Sequence, residues 1–498
     1  MDALEETSSP AGVATVPIAR QRPWAPGGWL LAGLWVLTVV SVVGMLAVGD
    51  RLIIGALGFV VMMLLILLRV PIAVSLLVPA LLGIFSIGGL RLLESLAGRT
   101  PYGSIASWSL SALPMFVLMG VVVASGGLAG SLFQAARQWL RWLPGGLAVG
   151  TNLAGAGLAA VTGSTLGTSY VLARVGVPEM LRAGYHKRIA IMAVMTAGLP
   201  GQLIPPSILL VIYAGLVQAP VGPQLIAGVI PGILIAVVFS VMMLLLALVL
   251  GGRAGGEKHG EPVPFPTMLK AALAAWPVPV LVLVIMGGMF SGVFTATEAG
   301  AGAALVAVLM AIGTAVKSGD WKSMGAGLTE TVQSVGMMFL LLIGAQFLTE
   351  MFSLTGVSAY FQDWVVGAGF TRVTFLLAML VFYLLLGLAM DTLAMMLLTI
   401  PVLVPTLQAL DIPLIFFGVF VVLLAEISSL SPPVGFLLFV LHDLFQDPKV
   451  NVGQRITLND LFMAVWYLLP GAVLVLLLMI WFPDIVMFLP NATAASSP

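Results

Sequence analysis

The chain has 498 residues, of which 60% are hydrophobic and only 8% charged. Its net charge is zero and its mean hydropathy is +1.16. A soluble domain carries roughly 25% charged residues, so a soluble enzyme, a nucleic-acid-binding protein and a disordered chain are all excluded. With no Cys and three scattered His, a disulfide framework, a thiolate site and a His-based metal centre go too. The composition predicts an all-α polytopic membrane protein.

Crossing a hydrocarbon core about 30 Å thick takes about 20 apolar residues. In chain order, such runs predict eleven spans: 28–48, 52–68, 71–90, 105–125, 189–216, 223–251, 271–290, 296–316, 330–350, 412–440 and 461–483. Two further apolar stretches, 146–182 and 372–408, are long enough to enter and return, and polar or small residues break each near its middle. They read as re-entrant helical hairpins. A tail (1–27) precedes an extra first helix (28–48). Two halves, 49–251 and 271–483, flank a charged linker at 252–270, and a second tail covers 484–498.

Charge placement orients this scheme. With the N-terminus in the cytoplasm and both broken stretches re-entrant, sixteen Lys and Arg fall inside. Only Arg51, Arg91, Arg99 and Arg372 fall outside. That asymmetry is the positive-inside pattern. It predicts a cytoplasmic N-terminus, a periplasmic C-terminus, a first hairpin entering from inside and a second from outside.

A shift of 227 residues lays Val161–Val211 over Leu388–Leu438 without a gap. Ser164 meets Asp391, Thr165 meets Thr392, Pro178 meets Pro405 and Pro205-Pro206 meets Pro432-Pro433. Because the hairpins enter from opposite sides, the halves are predicted to be inverted repeats. Many secondary transporters build a midplane site from such repeats.

The chemistry is predicted at the breaks. Proline removes a backbone N–H and frees a carbonyl, which must line a polar cavity or be buried in protein. Freed carbonyls, hydroxyls and a carboxylate are hard oxygen donors suited to a small cation such as Na⁺. Ser164, Thr165, Gly201, Asp391, Thr392, Ser431, Pro432 and Gly435 are the candidates. Half-helix N-termini suit an anion. Gly163, Ser164, Thr165, Pro206 and Ser207 are therefore candidate contacts for an anionic solute. Arg174 reads either as a solvated, snorkelling residue or as a counter-ion for a substrate carboxylate.

Intramembrane acids default to function. Asp391 falls at the second tip, and Glu426 is placed to line the same cavity. Glu298, after Thr295 and Thr297, reads as a helix cap or a site residue. Glu350 and Asp411 fall near span ends and read as solvated. Gln138, Trp139, Leu140 and Trp142, around Arg137–Arg141, read as an interfacial amphipathic helix. Segment 353–367 is its outer counterpart, and the pair could brace a fixed scaffold.

These residues resemble the large membrane subunit (M, DctM-like) of the tripartite ATP-independent periplasmic, or TRAP, transporters. The resemblance rests on Ala112-Leu113-Pro114-Met115-Phe116, Val177-Pro178-Glu179-Met180, Leu203-Ile204-Pro205-Pro206-Ser207, Phe294–Ala299, Thr399-Ile400-Pro401 and Ser431-Pro432-Pro433-Val434-Gly435. It spans about residue 50 to residue 483. It implies an elevator-type permease of the bacterial inner membrane that takes up an organic acid, such as a C4-dicarboxylate, with Na⁺ as coupling ion. It also implies two partners: a periplasmic substrate-binding protein (P, DctP-like) and a small four-helix membrane subunit (Q, DctQ-like). No nucleic acid is expected. Leu166 stands where the family's first tip usually carries a hydroxyl. The alternative is a stand-alone carboxylate carrier of the same superfamily. An intramembrane enzyme lacks its constellation here, with no second catalytic carboxylate in a recognisable context and no His-Glu-x-x-His.

Overall fold

A computed structural model describes residues 28–125, 128–140, 142–250, 264–388, 390–431 and 435–496. The expected tail 1–27, most of the linker, and Pro432 lie outside the described residues.

The described chain is helical throughout. α1 (Gly28–Ala47) and α2 (Arg51–Leu67) lead to α3 (Ile72–Ile105). α4 (Ala112–Ser125), α5 (Leu128–Leu140), α6 (Gly146–Thr162) and α7 (Thr165–Arg182) follow. Next come α8 (Lys187–Ala197), α9 (Ile208–Val217), α10 (Val221–Ala227) and α11 (Val229–Leu250). The second half holds α12 (Phe265–Ala274), α13 (Pro277–Phe290), α14 (Ala296–Ser318), α15 (Trp321–Thr355) and α16 (Val357–Gly367). It continues through α17 (Arg372–Leu386), α18 (Thr392–Ala409), α19 (Leu414–Leu430), α20 (Phe436–Leu444), α21 (Pro448–Asn451), α22 (Leu458–Trp481) and α23 (Asp484–Ser496).

Among the described residues, seven helical stretches are long and apolar enough to cross a membrane, eight if the bent pair α12–α13 is one span. The expectation of eleven uninterrupted runs is thus redistributed, and the differences have local causes. The run 189–216 is broken: α8 ends at Ala197, a 3-10 turn takes Pro200–Gln202, and α9 starts at Ile208. The run 412–440 stops at Leu430 and resumes at Phe436. Prolines at 200, 205, 206, 432 and 433 cannot donate to a helical ladder. α12 and α13 meet at 61°, where Pro277 opens the second helix. α3 outruns its expected end because Gly89, at φ +64° and ψ −163°, turns the chain rather than ending the helix. Only a residue without Cβ takes that conformation readily.

The helices pack into two groups. α3, α4, α14 and α15 lie against one another, with α1 and α2 beside α3. In the other group α6 packs on α7, α8 and α11, while α22 joins α8, α11 and α19. α17 and α18 pack on α19. The amphipathic helix α5 lies on α6, and α16, its counterpart in the second half, lies on α18. Arg137 of α5 pairs with Glu179 of α7 at 2.7 Å, and the Trp139 indole donates to the Met268 carbonyl of α12 at 3.2 Å.

Small residues make the second group dense. A Cβ on Gly155 would lie 2.2 Å from Ala197 Cβ, and one on Gly201 would lie 2.2 Å from Ala159 Cβ. Close backbone approach of this kind is how helices gain van der Waals contact where lipid supplies no hydrophobic drive.

Candidate functional site at the two helix breaks

The first hairpin turns at Gly163, which caps α6 in the left-handed region at φ +64°. A Cβ there would also press on Ile208 of α9, 2.8 Å from its Cδ1. Ser164 then adopts an extended conformation and caps α7, its hydroxyl accepting from the Gly167 amide at 3.0 Å. Thr165, the first residue of α7, is buried.

The second hairpin has the same register. α18 spans the positions of α7 shifted by 227 residues, from Thr392 to Ala409 against Thr165 to Arg182. Asp391 holds the N-cap position that Ser164 holds in the first, but its side chain makes no capping hydrogen bond. Gly387, just past α17, sits so close to α19 that a Cβ would lie 2.5 Å from Ser428 Cβ.

The two tips meet at Glu426. This residue of α19 is 6% exposed. Thr165 Oγ1 donates to its Oε2 at 2.6 Å across 261 residues of sequence. Thr392 of the second tip interacts with the same carboxylate, and Asp391 is close enough to act on it electrostatically. Two helix N-termini, those of α7 and α18, therefore converge on one buried acid. Their partial positive charge and the Thr165 hydroxyl replace part of the hydration that burial removes. The resulting donor set is oxygen only: two threonine hydroxyls and two carboxylates.

The other predicted residues distribute around this centre. Gly201 is pressed on Ala159 in α6, and Gly198 lies on Thr165, where a Cβ would come within 2.6 Å of Cγ2. Both hold α6–α7 against the break between α8 and α9. The Pro205–Pro206 peptide is cis. Ser207, fully buried, caps α9 by accepting from the Leu210 amide at 3.2 Å. Ser431 is buried at the end of α19 and donates to the Ile427 carbonyl at 3.1 Å, and the Gly435 amide returns to the Ser431 carbonyl at 3.2 Å.

Arg174 is not brought to the centre. It lies exposed on α7, nine residues past Thr165, with Nη2 donating to Tyr170 at 3.0 Å and its guanidinium 5.1 Å from that ring. Glu298 also stays apart: it completes a capping box with Thr295 at the start of α14. Sequence reasoning placed Glu426 only as a lining residue. Its one signal was an acid six residues ahead of Pro432 in an apolar run, and nothing in the sequence named Thr165 as its partner.

The helical architecture and the broken helices define a polytopic membrane protein of a transporter fold. A solved structure of the MtrF efflux pump of Neisseria gonorrhoeae shares that fold, with a TM-score of 0.57 over 92% of this chain and 97% of that one at 10% identity. Residues 59–485 match the family model for the tripartite ATP-independent periplasmic transporter, DctM component. The chain belongs to that family. It is 29% identical over 333 residues to the C4-dicarboxylate TRAP transporter large permease protein DctM of Pseudomonas aeruginosa, covering 67% of this chain and 77% of that protein. It is 30% identical over 435 residues to the ectoine TRAP transporter large permease protein TeaC of Halomonas elongata, covering 85% and 96%.

Proposed function

We propose that this large permease subunit drives Na⁺-coupled uptake of an organic acid across the bacterial inner membrane. In this reading a periplasmic binding protein delivers the solute, and a small membrane subunit flanks the frame helices. The N-terminus is cytoplasmic and the C-terminus periplasmic. Two inverted halves, each with a re-entrant hairpin (α6–α7 and α17–α18), move as one body with α8, α9, α19 and α22 against a frame of α3, α4, α14 and α15. α5 and α16 are the arms joining hairpins to frame.

The observation that carries the reading is the convergence of both tips on Glu426. The donors around it fit a hard cation, since Thr165, Asp391, Thr392 and Glu426 offer only oxygen. Helix ends and hydroxyls at such breaks are the way secondary transporters hold a coupling ion and an anionic solute together. The cation joins the two tips into one unit and offsets the carboxylate charge. The solute carboxylate then meets the amides around Gly163 and Ser164, with Pro206 and Ser207 behind them. Ser431, Pro432 and Gly435 supply the second half's equivalent of the Gly201 break.

The test is reconstitution of the permease with its partner subunits in proteoliposomes. An inward Na⁺ gradient should drive uptake of a carboxylate presented by the binding protein. Asp391→Asn and Thr165→Ala should each raise the Na⁺ concentration needed for half-maximal uptake. Uptake indifferent to Na⁺ would remove the coupling assignment, and an unchanged Na⁺ titration in both variants would remove the site.

A further inference from the structure

The α9 helix joins the tip region to a second polar site. Ser207 caps one end beside the first tip. At the other end Gly215 and Gln218 line a cavity of about 570 Å³. Ten residues of helix at about 1.5 Å per residue put the two ends about 15 Å apart. The facing wall comes from the frame: Arg99 near the end of α3, Ser107 just beyond it, and Gln346 and Glu350 of α15. A cavity of this size lies within the range of small-molecule sites, roughly 300–1,000 Å³.

Its charges are what single it out. Arg99 and Glu350 face one cavity, yet neither is in an ion pair or a hydrogen bond. The side chains of Gln218 and Gln346 have no hydrogen-bond partner either. A guanidinium binds a carboxylate through two parallel N–H donors. A carboxylate across the same cavity binds a cationic nitrogen, and two amides serve the polar groups between. A dianion would set one carboxylate against Glu350, and a simple cation would face Arg99. The lining matches a solute carrying both charges.

We propose that this cavity is a receiving subsite for a zwitterionic organic acid, with Arg99 holding its carboxylate and Glu350 its cationic nitrogen. The proposal rests on the transport reading above, in which this end of α9 faces the binding protein. It deepens that reading by naming the charge class of the solute. One wall belongs to helices packed on the hairpins, since α9 lies on α18 and α19, and the other belongs to α3 and α15. A solute seated here therefore touches both packed groups before it reaches the tips.

The experiment is equilibrium binding to the purified full-length chain in nanodiscs without a gradient. The probes are ectoine, a cyclic zwitterion, and succinate, a dianion. The wild type should bind ectoine more tightly than succinate. Arg99→Gln should weaken both by about tenfold or more, the loss of a charge-assisted contact. Glu350→Gln should weaken ectoine by a similar factor while strengthening succinate. Neither side chain is in the core, so folding is not at risk, and the opposed response of the two probes separates recognition from damage. A wild type that prefers succinate, or binds neither probe at millimolar concentration, overturns the proposal, as does ectoine binding unmoved by both variants. Binding that behaves as stated while proteoliposomes show no uptake would instead overturn the transport reading and leave the subsite standing.

Discussion

The two hairpin tips share a register and differ in how each uses its cap residue. At the first, the Ser164 hydroxyl accepts from the Gly167 amide and is committed to ending a helix. At the second, Asp391 holds the same position with no such bond. A neutral hydroxyl satisfies an orphan amide, whereas a carboxylate free of that duty keeps its charge for something else. The pairing of a structural cap with an uncommitted acid shows how a duplicated scaffold can divide labour between its copies. Glu426 serves both tips at once.

The largest expected effect tests the ground on which both tips stand. Gly201→Val should disrupt folding, because its first side-chain atom would fall 2.2 Å from Ala159 Cβ in the first hairpin. Overpacking a tight core costs about 1–3 kcal/mol or more. The measure is the yield of monodisperse protein and its thermal midpoint, and a midpoint equal to wild type would show that the hairpin is not held there.

Next comes the shared acid. Glu426→Ala should leave the Thr165 hydroxyl without its partner and cost about 1.5–3 kcal/mol, as for a hydrogen bond to a charged group. Uptake should be abolished. Glu426→Gln keeps a hydrogen-bond acceptor and should recover most of the stability but not the Na⁺ response. Full activity in the glutamine variant would mean that the charge is not what joins the tips.

The tips themselves should then respond in opposite ways. Ser164→Ala should lower stability by about 1 kcal/mol through loss of the cap, with a smaller change in Na⁺ titration. Asp391→Asn should leave thermal stability within about 0.5 kcal/mol and shift the Na⁺ titration. Thermal scans and uptake curves on both variants decide it: equal behaviour would erase the contrast between cap and acid.

The smallest effect is expected at Arg174, exposed and bound to Tyr170 of its own helix. Arg174→Ala should change stability by no more than about 0.5 kcal/mol and leave uptake within twofold. A loss of uptake comparable to Asp391→Asn would restore it as a substrate counter-ion.

Much of this was legible in the sequence. Proline pairs and the Gly-Ser-Thr and Asp-Thr clusters mark the ends of α8, α19, α6 and α17 because those residues cannot continue, or compete with, a helical ladder. The cap at Glu298 follows from its spacing to Thr295. Harder to read was the length of α3, since Gly89 bends an apolar run that would otherwise end there. The cavity beside Arg99 and Glu350 was also hidden, because both residues read simply as solvated ends.

The sequence alone determined a helical membrane protein, the positions of its breaks and the 227-residue register, because hydropathy, proline chemistry and capping are local and act over a few residues. Tertiary structure decided which breaks meet. Thr165 and Glu426 come together over 261 residues because Gly155, Gly198, Gly201 and Gly387 let their helices close to backbone contact. Arg174 points away from that centre by the phase of α7, while the bend at Gly89 comes sixteen residues before the end of α3, where Arg99 faces Glu350 across a cavity. Such pairings depend on helix packing, which no local pattern encodes.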